Sequence, residues 1–296
     1  MIVTNCSLVS LNISGWEANS QDRRVSAEVA VANQVKDRRL CRLRKSLLPK
    51  SAEQDKLNAV VRAARTFHYQ NTHDWMHQGP RILPSANASM YLKRMGEFKR
   101  RHEEAVLDLM DAYDGLCEKA REVLGALYNA KDYPRMHTLR SKYGFEFVVQ
   151  PMPASATLLE MGLEPESAME LKRKLEEDMA KTFQQANRRM WEDLYARLEK
   201  LYSRLSDEKA QVQGKTLDAV RSLAEMLPRM NITNDTQLTA MATRLSESLQ
   251  GLSEKAVNHN PTTRERVLAD TQTVFNVMQA YMYPRREASV EHLRVA

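Results

Sequence analysis

The sequence predicts a mainly α protein, on three observations. Glycine occurs only nine times in 296 residues, too few for a fold rich in hairpins and phosphate loops, which use it at positive φ. Apolar side chains recur at three- and four-residue steps over long stretches, the mark of helices with one buried stripe. Apolar residues make up 43% of the chain and charged residues 28%, a balance that excludes wholesale disorder and supports a real core. The expected architecture is an elongated helical bundle with a long antiparallel coiled-coil-like hairpin and a minor two-stranded β element. Residues 1–155 and 156–296 are the expected regions, separate or joined in one domain.

Residues 7–14, S-L-V-S-L-N-I-S, alternate apolar and polar and read as a short strand. The stretch 15–35 fits a helix or a second strand, and its alanines favour the helix. From Lys36 to Lys50 the chain carries seven basic residues and one acid, Asp37. Leu40, Leu43, Leu47 and Leu48 in that segment have helical spacing, which places one side on the core. Ser51 opens S-A-E-Q, a capping-box pattern, ahead of a helix with Leu57, Val60, Val61, Ala64 and Phe67 on one face.

Residues 65–84, R-T-F-H-Y-Q-N-T-H-D-W-M-H-Q-G-P-R-I-L-P, form the centre of the reading. The helix runs out near Tyr69, Gly79-Pro80 forces a turn and Pro84 closes a loop. Trp75, Ile82 and Leu83 are too apolar to remain in water, so this loop folds back. His68, His73, Asp74, His77 and Arg81 are the groups available to satisfy its backbone.

A long helix then spans 85–130, stopped by N-A-K-D-Y-P at 129–134. A short helix at 134–142 and a strand at 145–150 follow, and this strand is expected to pair with 8–14. Beyond a linker at 151–163 comes the longest helical pattern, from Pro165 past Lys200. Leu171, Leu175, Met179, Phe183, Met190, Leu194, Leu198, Leu201 and Leu205 carry its stripe, over a length on the order of 60 Å. Such a rod needs a partner, and 86–130 is the expected one. Gly214 pauses the pattern, Pro228 ends it, and Asn234 caps a helix to about 257. A final helix starts near Thr262, and a polar tail begins at Pro284.

Three well-separated cysteines, Cys6, Cys41 and Cys117, suit neither a disulfide framework nor a structural zinc site and point to a reducing cytoplasm. The N-terminus lacks a basic leader pattern, and no apolar run approaches the roughly 20 residues of a membrane span. The net charge of +6 permits contact with nucleic acid without requiring it.

Chemistry has few footholds. Arg38, Arg39, Arg42, Arg44 and Lys45 are the candidate phosphate contacts, against the alternative of a solvated face. His73 and His77 are weak candidates for a transition metal, with no fourth ligand evident. Gly214-Lys215-Thr216 lacks the earlier glycine of a phosphate-binding loop, and His102-Glu103-Glu104 lacks the second histidine of a zinc protease helix. No catalytic residue and no cofactor is assigned.

The order of features from Lys45 to Pro153 resembles a family of uncharacterised proteins of bacteriophages and integrative mobile elements. The matching signs are K-S-L-L-P at 45–49, Arg65 with His68-Tyr69, Thr72 with Trp75, G-P-R-I-L-P at 79–84, D-Y-P at 132–134 and P-M-P at 151–153. Genes of that family often lie near a MoxR-like AAA+ ATPase and a von Willebrand A-type protein. The resemblance therefore implies a mobile-element origin and an ATPase partner, and it supplies no active site. The resulting expectation is a non-enzymatic scaffold or adaptor that binds protein partners or itself, with Arg65, His68, Tyr69, Thr72, Trp75, Gly79 and Arg81 forming its interaction loop. The alternative is an accessory nucleic-acid-binding protein of replication or recombination that uses residues 36–50.

Overall fold

A computed structural model describes residues 5–76, 79–153, 164–207 and 209–282. Helices dominate it, as the stripes require. In chain order come β1 (Cys6–Ser14), β2 (Asn19–Gln21), α1 (Arg23–Ala32), a 3-10 turn (Arg38–Leu40), β3 (Arg44–Ser46) and α2 (Ala52–Gln70). Next are β4 (His73–Asp74), β5 (Arg81–Pro84), α3 (Ser85–Leu124), α4 (Met136–Arg140) and β6 (Gly144–Pro151). The chain continues as α5 (Pro165–Ser206), α6 (Gly214–Met230), α7 (Thr236–Leu249), α8 (Glu254–His259) and α9 (Pro261–Met282). One sheet has the order β4-β5-β1-β6, and β2 pairs with β3 in a second. The expected neighbours β1 and β6 are thus adjacent, but the β content exceeds the two strands expected. The additional strands are two to four residues long, too short to show a period-two pattern.

The chain divides into two compact units. One takes Met1–Leu8, Thr72–Ala88 and Gln150–Ala296, and the other Val9–Asn71 and Ser89–Val149. Residues 72–88 go with the C-terminal part. All but the first turn of α3 lies in one unit, and α5 lies in the other. Each long helix covers its stripe within its own unit, where the sequence had paired the two with each other.

In the N-terminal unit, α3 sets Ala105, Val106, Leu109, Met110, Tyr113 and Leu116 against Leu57 of α2, Leu48, Ala18 and Leu139. Helix α2 starts where expected, with Ser51 Oγ accepting from Gln54 N at 3.2 Å. Glu53 and Asp55 complement the helix dipole in its first turn.

The C-terminal unit is a helical bundle. Helix α5 packs on α6 and α9, α6 on α7, and α7 and α8 on α9. Met190, Trp191, Leu194, Leu198, Leu201 and Leu205 of α5 share one core with Leu217, Val220 and Leu223 of α6, Leu238 and Leu245 of α7, and Val274 and Met278 of α9. Upstream on α5, Met179, Phe183 and Ala186 cover Cys6, Leu8 and Ile82.

Helix ends decide several boundaries. Pro165 starts α5 at a position where no amide is needed. At its other end, the Arg264 guanidinium donates to the carbonyls of Arg204 (2.7 Å), Leu205 (3.1 Å), Asp207 (2.8 Å) and Ala210 (3.0 Å). A cation there meets orphan acceptors and the negative end of the dipole. Arg221 does the same for the end of α7, donating to Leu249 O and Leu252 O. The cap of α7 is Asp235 rather than Asn234, because Asn234 holds a left-handed φ of 53° and an N-cap requires extended backbone. Pro228 lies in the last turn of α6, which continues to Met230.

Candidate functional site

The stretch 65–84 is a helix end followed by a short β-hairpin rather than a loop, and its groups fall into both units. Strand β4 pairs antiparallel with β5, His73 facing Ile82 and Asp74 facing Arg81. Gly79, at φ 131°, supplies the connection with a backbone that other residues rarely adopt. His77 lies outside the described residues.

In the C-terminal unit, Arg81 Nε donates to Thr72 Oγ1 at 2.7 Å and its Nη2 to Thr72 O at 3.1 Å. Both Arg81 and Arg189 of α5 form ion pairs with Asp74, so one carboxylate ties the hairpin to the longest helix. His73 is buried, and its Nε2–H donates to Met230 O at 2.8 Å, across 157 residues of sequence. Burial, outweighing that hydrogen bond, moves its pKa below the usual histidine range. His73 is therefore a neutral brace between β4 and the end of α6. Trp75 packs on the cluster of Cys6, Leu8, Ile82 and Phe183.

In the N-terminal unit, buried His68 shares a 2.7 Å hydrogen bond between Nδ1 and the Tyr91 hydroxyl. Phe67 stacks on Tyr91 at 5.8 Å and lies 5.7 Å from Phe98. Arg65 donates to Ile13 O at 3.2 Å. Tyr69 is exposed, its ring 5.4 Å from that of His68 and inclined to it by 62°.

The sequence missed the partners that complete this bracing. Trp191 is 1% exposed, and its indole N–H donates to Asp235 Oδ2 at 3.1 Å. Asn187 Nδ2 donates to the same oxygen at 3.3 Å. Asp235 Oδ1 meanwhile accepts from Gln237 N and Leu238 N, each at 3.0 Å. The N-D-T-Q run at 234–237 carried the cap signal, shifted by one residue.

The basic segment departs most from expectation. It is a 3-10 turn and a short strand, not a helix, with β3 held by β2 through the pairs Asn19–Ser46, Ser20–Lys45 and Gln21–Arg44. Leu47 and Leu48 are buried as the spacing required, but Leu40 is 82% and Leu43 39% exposed. Lys45 is no surface cation. Its side chain is 10% exposed between Asp132 at 2.9 Å and Asp22 at 3.4 Å, and it donates to Leu127 O at 2.6 Å. Burial pulls the Lys45 pKa down, but the two carboxylates outweigh it and hold the ammonium above its usual value. Arg39 grips Asp37 through Nε and Nη2, each at 3.0 Å. Arg42 donates to Arg39 O, and Arg44 reaches Glu17 only at 4.0 Å. The side chain of Arg38 lies outside the described residues.

Among the described residues, no group of three or more His, Cys, Asp or Glu could hold a metal ion. A shallow open depression of about 420 Å³ is lined by Ala52, Glu53, Lys56, Asp108, Asp111 and Ala112. Lys56 and Asp108 pair across it at 2.5 Å. No described helix is long and apolar enough to cross a membrane. No protein-family model, curated protein or solved structure matches the chain.

Proposed function

We propose that this protein is a non-enzymatic helical scaffold or adaptor of a phage or mobile element. It acts by assembling protein partners, an AAA+ ATPase or further copies of itself. One observation carries the reading: the described side chains of 65–84 with the most chemical capacity make bracing hydrogen bonds and ion pairs. His73 holds Met230, Arg81 holds Thr72 and Asp74, and His68 holds Tyr91. A general base or metal ligand presents a lone pair to substrate or ion, and the hydrogen bonds of these side chains are made to neighbouring structure.

Partner contact is supported by what is left uncovered. Met169 is 66% exposed at the start of α5, Leu171 is exposed beside it, and Val148 and Val149 are exposed on the sheet-edge strand β6. The resemblance to mobile-element proteins encoded beside a MoxR-like ATPase supplies the partner class. Cytoplasmic location belongs to the proposal, as the compartment of such a partner.

The test mixes purified chain with a MoxR-like AAA+ ATPase and follows size exclusion with light scattering and ATP turnover. A complex, or a discrete homo-oligomer, that Met169→Asp with Leu171→Asp weakens at least tenfold supports the reading. A compact monomer that neither joins the ATPase nor alters its turnover overturns it.

A further inference from the structure

We infer that the exposed ribbon running from the 3-10 turn Arg38–Leu40 to Arg44 is a contact surface for duplex DNA. Its arginines would meet phosphates, and Leu40 would form an apolar wedge. This goes beyond the scaffold reading and stands on separate observations.

Charge comes first. The N-terminal unit holds 23 basic and 16 acidic residues and the other unit 21 and 22, so the whole positive excess of the chain lies in the former. The ribbon concentrates it: Lys36, Arg39, Arg42, Arg44 and Lys50 are all exposed. The acids nearby are few. Asp37 holds Arg39, Glu28 holds Arg24, Asp55 approaches Lys50 at 3.9 Å, and Glu17 lies 4.0 Å from Arg44.

Rigidity is the second point. Leu43 N donates to Ser26 Oγ at 3.0 Å, Asp22 N to Leu43 O at 3.0 Å, and β3 is paired to β2. Lys45, buried between Asp22 and Asp132, anchors the root of the ribbon. A surface held in this way loses little conformational freedom on binding.

Leu40 is the third. A leucine 82% exposed between Arg39 and Arg42 adds nothing to the core. Aliphatic side chains flanked by arginines are what minor-groove proteins insert between base steps. Guanidinium forks suit phosphate oxygens better than ammonium groups do. Residues 36–50 contain no aromatic side chain for stacking unpaired bases, which favours a duplex over a single strand. The ribbon is also not an amphipathic helix with a broad apolar face, which a membrane surface would call for.

The experiment measures binding of the full chain to a short, end-labelled, mixed-sequence DNA duplex by fluorescence anisotropy across a salt series. Arg39→Ala/Arg42→Ala/Arg44→Ala is expected to lower the slope of log K against log salt by roughly 3, because each phosphate contact contributes about 0.9. Leu40→Ala is expected to weaken binding by about tenfold with the slope unchanged. Lys172→Ala/Arg173→Ala/Lys174→Ala, on α5 in the other unit, should leave both unchanged, and circular dichroism melts verify folding of every variant. No binding of the wild-type chain at about 50 mM salt, where phosphate contacts are strong, overturns the proposal. So does an equal loss of slope in the α5 variant. Binding to phosphatidylglycerol vesicles or polyglutamate as tight as to the duplex, and lost in the same arginine variant, reassigns the surface to a membrane or an acidic protein.

Discussion

Replacing Asp235 with alanine should destabilise the C-terminal unit by about 2–4 kcal/mol. Two losses make up that figure. Removing the N-cap of α7 costs roughly 1 kcal/mol, since Gln237 N and Leu238 N both lose Oδ1. The Trp191 indole, 1% exposed, then keeps a buried N–H without its carboxylate, at about 1–3 kcal/mol. Asp235→Asn separates the two terms, because its single carbonyl oxygen can keep the cap while its amide nitrogen meets the indole N–H donor to donor, so it should lose only the Trp191 part, about 1–3 kcal/mol. Urea unfolding followed by tryptophan emission and by far-ultraviolet circular dichroism reads both variants. A double-mutant cycle with Trp191→Phe should return a coupling of at least about 0.5 kcal/mol. An alanine variant within about 0.5 kcal/mol of wild type, or a coupling of zero, would refute the brace.

Other expectations follow from the same geometry. Arg264→Ala should cost more than Arg264→Lys, but both should lower the melting temperature, because a single ammonium cannot span the carbonyls of Arg204, Leu205, Asp207 and Ala210; differential scanning calorimetry decides. His73 and His102 are neutral in the fold, and burial lowers both pKa values. Stability should therefore hold above the unfolded histidine pKa near 6.5 and fall as pH drops below it, where the unfolded chain takes up protons the fold resists. His73→Gln with His102→Gln should flatten that slope between about pH 6.5 and 5, read from urea midpoints. Elemental analysis of the pure protein should find no stoichiometric transition metal, since no group of three or more His, Cys, Asp or Glu among the described residues could hold one. Lys45→Met should lower the melting temperature by leaving Asp22 and Asp132 facing each other without a cation.

What the sequence revealed was mostly local or periodic. Ser51 before A-E-Q marked the start of α2, Pro165 that of α5, and the alternation in 7–14 marked β1. The stripe from Met179 to Leu205 fixed the buried face of α5 without fixing what covers it. That requires knowing that α6, α7 and α9 return to it, which no spacing within α5 records. The basic segment shows the opposite failure. Leu40, Leu43, Leu47 and Leu48 have the intervals of a helix face, yet pairing with β2 makes the segment a ribbon and turns the first two leucines outward. Lys45 looked like one more surface cation because its counter-charge Asp132 is far away in sequence. The partner of His73 was hidden for the same reason, its acceptor lying 157 residues on.

Hydrogen–deuterium exchange, on the chain alone and with the AAA+ ATPase proposed as its partner, tests the scaffold reading most directly. Residues 72–76 and 79–84 should exchange slowly and identically in both samples, while new protection should appear at the exposed start of α5 around Met169 and Leu171 or along β6. A chain whose hairpin exchanges quickly when alone and becomes protected on adding the ATPase would contradict the account, placing the working surface at the residues assigned here as braces.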